Sequence, residues 1–186
     1  MTQIKNLGRV GKQEWLETAL ELLKKGGIDA VRVERLAARL DVAKSGFYYH
    51  FRDLGDLRDS LLDHWIELDH EPQRALQEAS GLGPAEQLAL IADVVDQVDL
   101  ALYDVAIRQW ARIDPKVRRI WRAENKKRLK VVRHLFSQLG FSGHDLDMRT
   151  HLFVAYHLSE REVFPNLKKA DRRELRSRRL KFLVQT

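Results

Sequence analysis

The sequence predicts an all-α protein, on two observations. Apolar residues recur every three or four positions along most of the chain, as at Trp15, Ala19, Leu22 and Leu23, which is the spacing of one helix face. No segment alternates apolar and polar residues for long enough to build a sheet. Of the 186 residues, 44% are hydrophobic and 32% charged, which suits a folded globular chain rather than a disordered one.

Turn-forming residues delimit the predicted helices. Gly26 and Gly27 end the first helix, and Asp41 is placed at a left-handed turn after the second. Asp53 is expected to cap a long fourth helix, and Pro84 suits the first turn of the fifth. The predicted helices cover about residues 12–25, 33–40, a short stretch within 41–53, 53–79, 85–112 with a break near 99, 115–139, 145–160 and 168–184.

Several functional classes lack support in the sequence. No cysteine occurs, which excludes disulfides, thiolate metal sites and cysteine nucleophiles. There is no glycine-rich phosphate loop, no GxSxG elbow and no HExxH spacing, so we predict no catalytic residue, no cofactor and no metal site. The N-terminus has no signal-peptide pattern and no apolar run is long enough to span a bilayer. We expect a cytoplasmic protein that is neither an enzyme nor bound to a membrane.

The formal net charge of +6 is unevenly distributed. Residues 61–113 hold 3 Lys and Arg against 10 Asp and Glu, whereas residues 114–186 hold 19 against 8. The basic excess near the C-terminus, as in "RRIWRAENKKRLKVVRH", is typical of solvated helix faces. Net charge alone is therefore weak evidence for a nucleic-acid partner.

Two short helices carry a helix-turn-helix pattern. Leu36, Ala37 and Leu40 on the first helix, Val42 after the turn and Phe47 on the second place apolar or small residues where the helices touch and cross. An ordinary helical hairpin shares this pattern, so the pattern by itself leaves the function open.

The second short helix is crowded with aromatic residues. Phe47 and Phe51 are four residues apart and are expected to share the buried face, whereas Lys44, Tyr48 and Tyr49 fall largely on the others. Lysine and hydroxyl donors suit phosphate oxygens and base acceptors, and tyrosine adds a flat apolar face. The exposed side is therefore a candidate contact surface for nucleic acid.

The stretch "KSGFYYHF", between an amphipathic helix that ends in Gly and a long helix, resembles the DNA-binding domain of the tetracycline-repressor (TetR) family. The resemblance covers about residues 12–65. It implies that the third helix enters the major groove and that a homodimer, formed through the last two helices, binds a palindrome-like double-stranded operator. The DNA-contacting residues that it implies are Arg32, Lys44, Ser45, Gly46, Tyr48, Tyr49, His50 and Arg52.

Some positions depart from the family's pattern or keep an alternative. Arg32 and Ala43 stand where Ser or Thr usually caps the second and third helices, and Leu54 replaces a phosphate-contacting lysine for which Arg52 is a substitute. Instead of contacting DNA, Tyr48 could be a buried aromatic residue whose hydroxyl has a hydrogen-bond partner. In the same way, His50 could cap a helix or pack within the domain.

The resemblance further implies a DNA-binding domain over residues 1–60 and a helical effector-binding and dimerisation domain over 61–186. The expected function is a repressor that leaves its operator when an unidentified small-molecule effector binds. Five large aromatic residues are equally natural as pocket lining or as core: Tyr103, Trp110, Trp121, Phe136 and Phe153.

Three further expectations concern the larger domain. Asp104 and Arg108 are four residues apart and are expected to pair on one helix face. The dimer surface is expected on the last two helices, with Leu152, Phe153, Tyr156, Leu175 and Phe182. The competing function is a helical small-molecule carrier or a protein-interaction module, which would lack the steep salt dependence of operator binding.

Overall fold

The computed structural model describes residues 10–185. Within them, ten α-helices and a short 3-10 turn at Ile28–Ala30 are present and no strand forms, which confirms the predicted all-α class. None of these helices is long and apolar enough to cross a membrane. The helices are α1 Lys12–Gly26, α2 Val33–Leu40, α3 Ser45–His50, α4 Leu54–Asp69, α5 Glu71–Glu78, α6 Pro84–Gln97, α7 Leu100–Ile113, α8 Pro115–Gln138, α9 Gly143–Val163 and α10 Lys169–Val184.

The chain divides into two compact units, the first ending at His64 and the second beginning at Trp65. The helix α4 begins in the first unit and its last turn belongs to the second. The division therefore falls inside a continuous helix rather than in a loop.

An aromatic cluster forms the centre of the first unit. Trp15 of α1, Phe47 of α3 and Phe51 just after α3 have almost no exposed surface. The Trp15 and Phe47 rings meet edge to face with centroids 5.7 Å apart, and the Phe47 and Phe51 centroids are 5.2 Å apart. The predicted inward orientation of Phe47 and Phe51 is confirmed, and burying each ring contributes roughly 1.5–3 kcal/mol.

The turn between α2 and α3 is closed by backbone hydrogen bonds. Asp41 has a φ of 57°, in the left-handed region, as the sequence predicts. The Val42 amide donates to the Ala37 carbonyl over 3.0 Å and the Asp41 amide donates to the Ala38 carbonyl over 3.4 Å. These bonds satisfy the last carbonyls of α2 in a Schellman arrangement, with Asp41 in the position usually held by Gly. This closure fixes where α3 begins.

The core of the second unit lies among α6, α8, α9 and α10. Leu88, Leu135 and Phe136 are fully or almost fully buried there, and the Phe136 and Phe153 rings meet edge to face at 6.1 Å. The predicted break near residue 99 is also present, because Asp99 has a left-handed φ of 53° and separates α6 from α7. The helices of this unit thus follow the predicted order.

The long fourth helix predicted over 53–79 is wrong. α4 ends at Asp69, and the next helix, α5, starts at Glu71. Pro72 is the second residue of α5, where its missing amide hydrogen costs nothing, whereas inside a continuous helix its ring would clash with the preceding turn. Asp53 does cap α4, since its Oδ1 accepts from the Asp56 amide at 2.9 Å.

Candidate nucleic-acid interface and internal cavity

The exposed face of α3 presents two tyrosines to solvent. The Tyr48 and Tyr49 side chains are each 63% exposed, although the Tyr48 ring still meets the buried Phe47 edge to face at 5.2 Å. Ser45, in the first turn of α3, is exposed as well. Because the buried Phe47 anchors α3, this face is held in place, and both tyrosine side chains remain largely exposed. The alternative of a buried Tyr48 is wrong.

Lys44, just before α3, forms an exposed ion pair. Its Nζ lies 3.0 Å from Glu34 Oε1 on α2. The hydrogen bond from Lys44 holds the pKa of the Glu34 carboxyl below its usual value. Exposed pairs of this kind are weak, so the Lys44 ammonium is available to a stronger anionic partner such as a phosphate.

Gly46 is not required by packing within its own unit. A methyl group added at its Cα would meet Trp15 Cζ2 at 3.6 Å, an ordinary contact distance. Packing within the unit would therefore tolerate a small side chain at this position.

His50 is engaged inside the unit. Its Nε2 lies 2.8 Å from the Val10 carbonyl, ahead of α1, and the imidazole is half-buried. Because a carbonyl only accepts, Nε2 carries the proton and donates. The structure thus gives His50 the packing role that the sequence left as its alternative.

Two predicted arginines lie at helix ends. Arg32 precedes α2 without a side-chain cap, as expected, and its Nε donates to the Asp29 carbonyl at 3.0 Å. Arg52 is exposed between α3 and α4, and its Nη2 lies 3.5 Å from Asp56 Oδ1. The Arg52 backbone amide donates to the same carboxylate over 3.0 Å and is the largest cause of its lowered pKa. Both guanidinium groups stay on the surface.

Sequence reasoning missed two cations on α2. Arg35 and Arg39 are exposed and, among the described residues, have no ion-pair partner. With Arg32 they recur at intervals of three and four residues, so all three lie on one side of α2. That spacing was the signal in the sequence.

A cavity of about 550 Å³, its open mouth included, lies in the second unit. Most of its wall is aliphatic, and Phe153 is the one member of the predicted aromatic set that lines it. Trp110 and Phe136 are instead buried in the core, and Tyr103 and Trp121 are half-buried away from this wall. Its lining consists of Asp69, Pro72, Gln73, Leu76, Ile91, Val95, Leu100, Asp104, Arg128, Val131, Val132, Phe153, Val154, His157 and Leu158.

Arg128, Asp69 and Asp104 form a hydrogen-bonded group in the cavity wall. Arg128 of α8 donates through Nε to Asp69 Oδ1 at 2.6 Å, and its second Nη atom donates to Asp104 Oδ1 at 2.9 Å. Burial raises the pKa of the Asp104 carboxyl, and Arg128 opposes that rise. Burial alone lowers the pKa of Arg128, but the Asp104 and Asp69 carboxylates outweigh it and raise the pKa. The guanidinium therefore stays charged and ties α4, α7 and α8 together.

The predicted ion pair between Asp104 and Arg108 is wrong. Asp104 points to Arg128, and Arg108 instead forms its ion pair with Glu162 of α9. A buried guanidinium that also reaches Asp69 competes better for a carboxylate than an arginine one turn away on the same helix.

His157 of α9 reaches the same cavity as a neutral imidazole. Its Nδ1 lies 2.7 Å from the Phe153 carbonyl, and its Nε2 lies 3.2 Å from Nη2 of Arg179. A guanidinium only donates, so Nε2 must be the acceptor and Nδ1 the protonated nitrogen. Burial, together with the charge of Arg179, lowers the pKa of His157 to about 3.

Asp69, His70 and Glu124 bring three potential metal ligands within 4.8 Å of one another. Their carboxylates are already neutralised, since Asp69 pairs with Arg128 at 2.6 Å and Glu124 pairs with Lys127 at 2.8 Å. The positive charges of Arg128 and Lys127 would repel a metal ion at this place, so the arrangement fits ion pairing better than metal binding.

The first unit matches a known family. Residues 16–61 match bacterial regulatory proteins of the tetR family. Over 64 residues the chain is 31% identical to the tetracycline repressor protein class C of Escherichia coli, an alignment that spans 34% of this chain and 29% of that protein. The similarity to the tetR family is thus carried by the first unit, and the alignment spans less than a third of the length of this curated relative.

Solved structures extend the likeness to the whole fold. A tetR-family regulatory protein from Rhodococcus RHA1 is 16% identical and has a TM-score of 0.72, with 94% of this chain and 96% of that one covered. The transcriptional regulator FadR from Bacillus subtilis, in complex with stearoyl-CoA, is 17% identical, with a TM-score of 0.68 and coverage of 94% and 98%. At these identities the likeness concerns the fold alone.

Proposed function

We propose that the protein is a transcriptional repressor that reads a palindrome-like operator with α3 of each subunit of a homodimer. The observation that carries the proposal is the exposed pair Tyr48 and Tyr49 on a short helix anchored by Phe47. The two tyrosines, Lys44 and Ser45 supply donors and flat apolar surface for base edges and phosphates, and Gly46 lies beside them in the first turn of α3. We assign Arg32, Arg35, Arg39 and Arg52 to phosphate contacts and His50 to support of the helix.

The effector site of this proposal is the cavity in the second unit. Its aliphatic walls favour a ligand with a hydrocarbon part rather than an aromatic one. The carboxamide oxygen of Gln73 is buried there, has no hydrogen-bond partner within residues 10–185, and would accept from a donor on the ligand. FadR, whose fold is similar, is described in complex with a long-chain acyl-CoA, and an aliphatic ligand in this cavity has the same apolar character.

The coupling in this proposal runs through Asp69. Asp69 is the last residue of α4 and also lines the cavity. The same helix begins in the first unit, which carries α3 and is called the reading unit below. A ligand that displaces Arg128 would release Asp69 and shift α4, because a buried carboxylate cannot remain without its partner. The effector then favours a conformation in which two reading helices no longer fit successive grooves.

The dimer contact is assigned to α9 and α10. Leu152 of α9 and Leu175 and Phe182 of α10 are large apolar side chains that remain exposed. Phe153, expected in the same contact, is buried within its own unit and is left out. A two-fold contact of these helices would cover the apolar side chains and place two reading units on one duplex. The functional division near residue 60 and the cytoplasmic location stay predictions.

Selection of binding sites from random duplex DNA tests the proposal, followed by a screen for metabolites that release the complex. We expect enrichment of a palindrome-like sequence whose affinity falls steeply as salt rises. A carrier or protein-interaction module would enrich no sequence and would bind its ligand without any effect on DNA. That result would overturn the proposed function.

A further inference from the structure

The exposed side of α8 carries a stripe of basic residues. Arg119, Arg122, Lys126 and Lys130 are all exposed and recur at intervals of three and four residues, so they lie on one side of the helix. Val117, Val132 and other residues on the opposite side are buried in the second unit. The α8 basic stripe, as we call these four residues, therefore faces solvent along roughly 16 Å at 1.5 Å per residue.

None of the four cations in the α8 basic stripe has an ion-pair or hydrogen-bond partner within residues 10–185. Some other cations of this unit are paired, since Arg74 lies 3.0 Å from Glu67 and Arg178 lies 2.7 Å from Glu174, whereas the exposed Lys168 and Lys169 have no ion-pair partner among the described residues. Like charges three or four residues apart destabilise a helix by a few tenths of a kcal/mol per pair. The mutual repulsion of the stripe therefore opposes the stability of α8, and no ion pair within residues 10–185 reduces it.

The chemistry of the stripe matches a linear polyanion. Duplex DNA presents one phosphate charge per about 1.7 Å of its axis, the pattern that a straight row of cations neutralises. On α8, which is described along its whole length, no exposed side chain is a Phe, Tyr or Trp ring or a large aliphatic group. The apolar residue exposed among the four is Ala123. Amphipathic helices that enter lipid need such side chains, which argues against a membrane as the partner.

We propose that the α8 basic stripe is a second nucleic-acid surface, which binds the phosphate backbone of duplex DNA without regard to sequence. It lies on an element of the second unit and requires no residue of α3. Such a surface would raise the fraction of the protein bound to non-operator DNA and the time that each molecule stays bound to a duplex.

The test measures binding to a duplex of arbitrary sequence as a function of salt. The first variant, R122Q/K126Q, removes two stripe cations, and the full variant replaces all four residues by Gln. The matched control, K168Q/K169Q, removes two exposed cations at the start of α10 and changes net charge equally. Since the exchange relieves like-charge repulsion on α8, the variants should melt no lower than wild type.

We expect the slope of log affinity against log salt to fall by about 0.9 for each cation that touches a phosphate, hence by roughly 2 to 4 for the full variant. The control should leave the slope unchanged. Equal slopes for R122Q/K126Q and K168Q/K169Q would overturn the proposal. It would also be overturned if the stripe variants bound DNA as wild type does but lost binding to anionic vesicles. In K44A/Y48A, replacing the four stripe residues by Gln should still lower the salt slope by the same amount. The proposal for the stripe can therefore be tested separately from the proposed role of α3.

Discussion

The guanidinium of Arg128 lies 2.6 Å from the carboxylate of Asp69, and Asp69 is the last residue of α4. The Asp69 side chain is buried, that of Arg128 is only 12% exposed, and the same guanidinium reaches Asp104 of α7. The end of the helix that leaves the reading unit is therefore held by ion pairs in the wall of the cavity. The proposed effector site and the end of α4 therefore share this ion pair.

Removal of the Asp69 carboxylate should destabilise the protein strongly. Asp69→Ala leaves Arg128 with one buried partner, and breaking a buried pair costs about 3–5 kcal/mol. Glu67→Ala, two residues earlier on the same helix, removes an exposed partner of Arg74 and should cost less than about 1 kcal/mol. Urea unfolding measures both, and equal losses would contradict the structural role of Asp69.

Truncation of Phe47 should unfold the reading unit more easily. Phe47→Ala removes the ring that contacts Trp15 and Phe51, and such core truncations cost about 3–5 kcal/mol. Tyr48→Ala, at the neighbouring exposed position, should change the free energy of unfolding by much less. Thermal melting of the two variants provides the comparison. A normal melting temperature for Phe47→Ala would mean that the buried face of α3 is misassigned.

The dimer assignment predicts different effects for two equally exposed apolar residues. Phe182 of α10 is 71% exposed and Ile113 of α7 is 70% exposed. Phe182→Glu places a charge in the proposed contact and should yield monomers at micromolar concentration, whereas Ile113→Glu should stay dimeric. Sedimentation equilibrium distinguishes the two. A monomeric wild type, or a dimeric Phe182→Glu, would rule out this surface.

His157 predicts a loss of stability on the acid side. Its pKa is lowered to about 3 in the folded protein, against about 6.5 in the unfolded chain. As pH falls below 6.5, the unfolded chain takes up a proton at this histidine before the folded protein does, and this favours unfolding. The stabilisation of the fold by neutral His157 is therefore complete above pH 6.5 and is lost as pH falls towards 3. The stability advantage of wild type over His157→Gln should shrink by up to about 1.4 kcal/mol per pH unit below 6.5. A constant difference between pH 7.5 and 5 would contradict the neutral assignment.

The local parts of the fold were predictable because short spacings determine them. Phe47 and Phe51 are four residues apart and share the buried face, and Asp41 takes the left-handed turn that its position between two helices requires. The break at His70 also had a local signal in Pro72, which the prediction of one long helix overlooked.

The cavity and its ion pairs were not predictable in the same way. Asp69, Asp104 and Arg128 lie far apart in sequence, and only the packing of α4, α7 and α8 brings them together. Spacing on one helix suggested Arg108 as the partner of Asp104, yet the folded chain pairs Arg108 with Glu162. The sequence left the large aromatic residues open as pocket lining or as core. The structure buries Trp110 and Phe136 in the core, and smaller aliphatic residues line most of the cavity.

The measurement that tests the account most directly is the affinity of α3 variants for the duplex selected from random sequences. Lys44→Ala and Tyr48→Ala should each weaken binding by about 1–3 kcal/mol, roughly 5- to 150-fold, with no loss of folding stability. Gln13→Ala, an exposed change on α1, serves as the control and should bind as wild type does. Affinities that are equal for wild type, Lys44→Ala and Tyr48→Ala would contradict the claim that this face of α3 reads DNA.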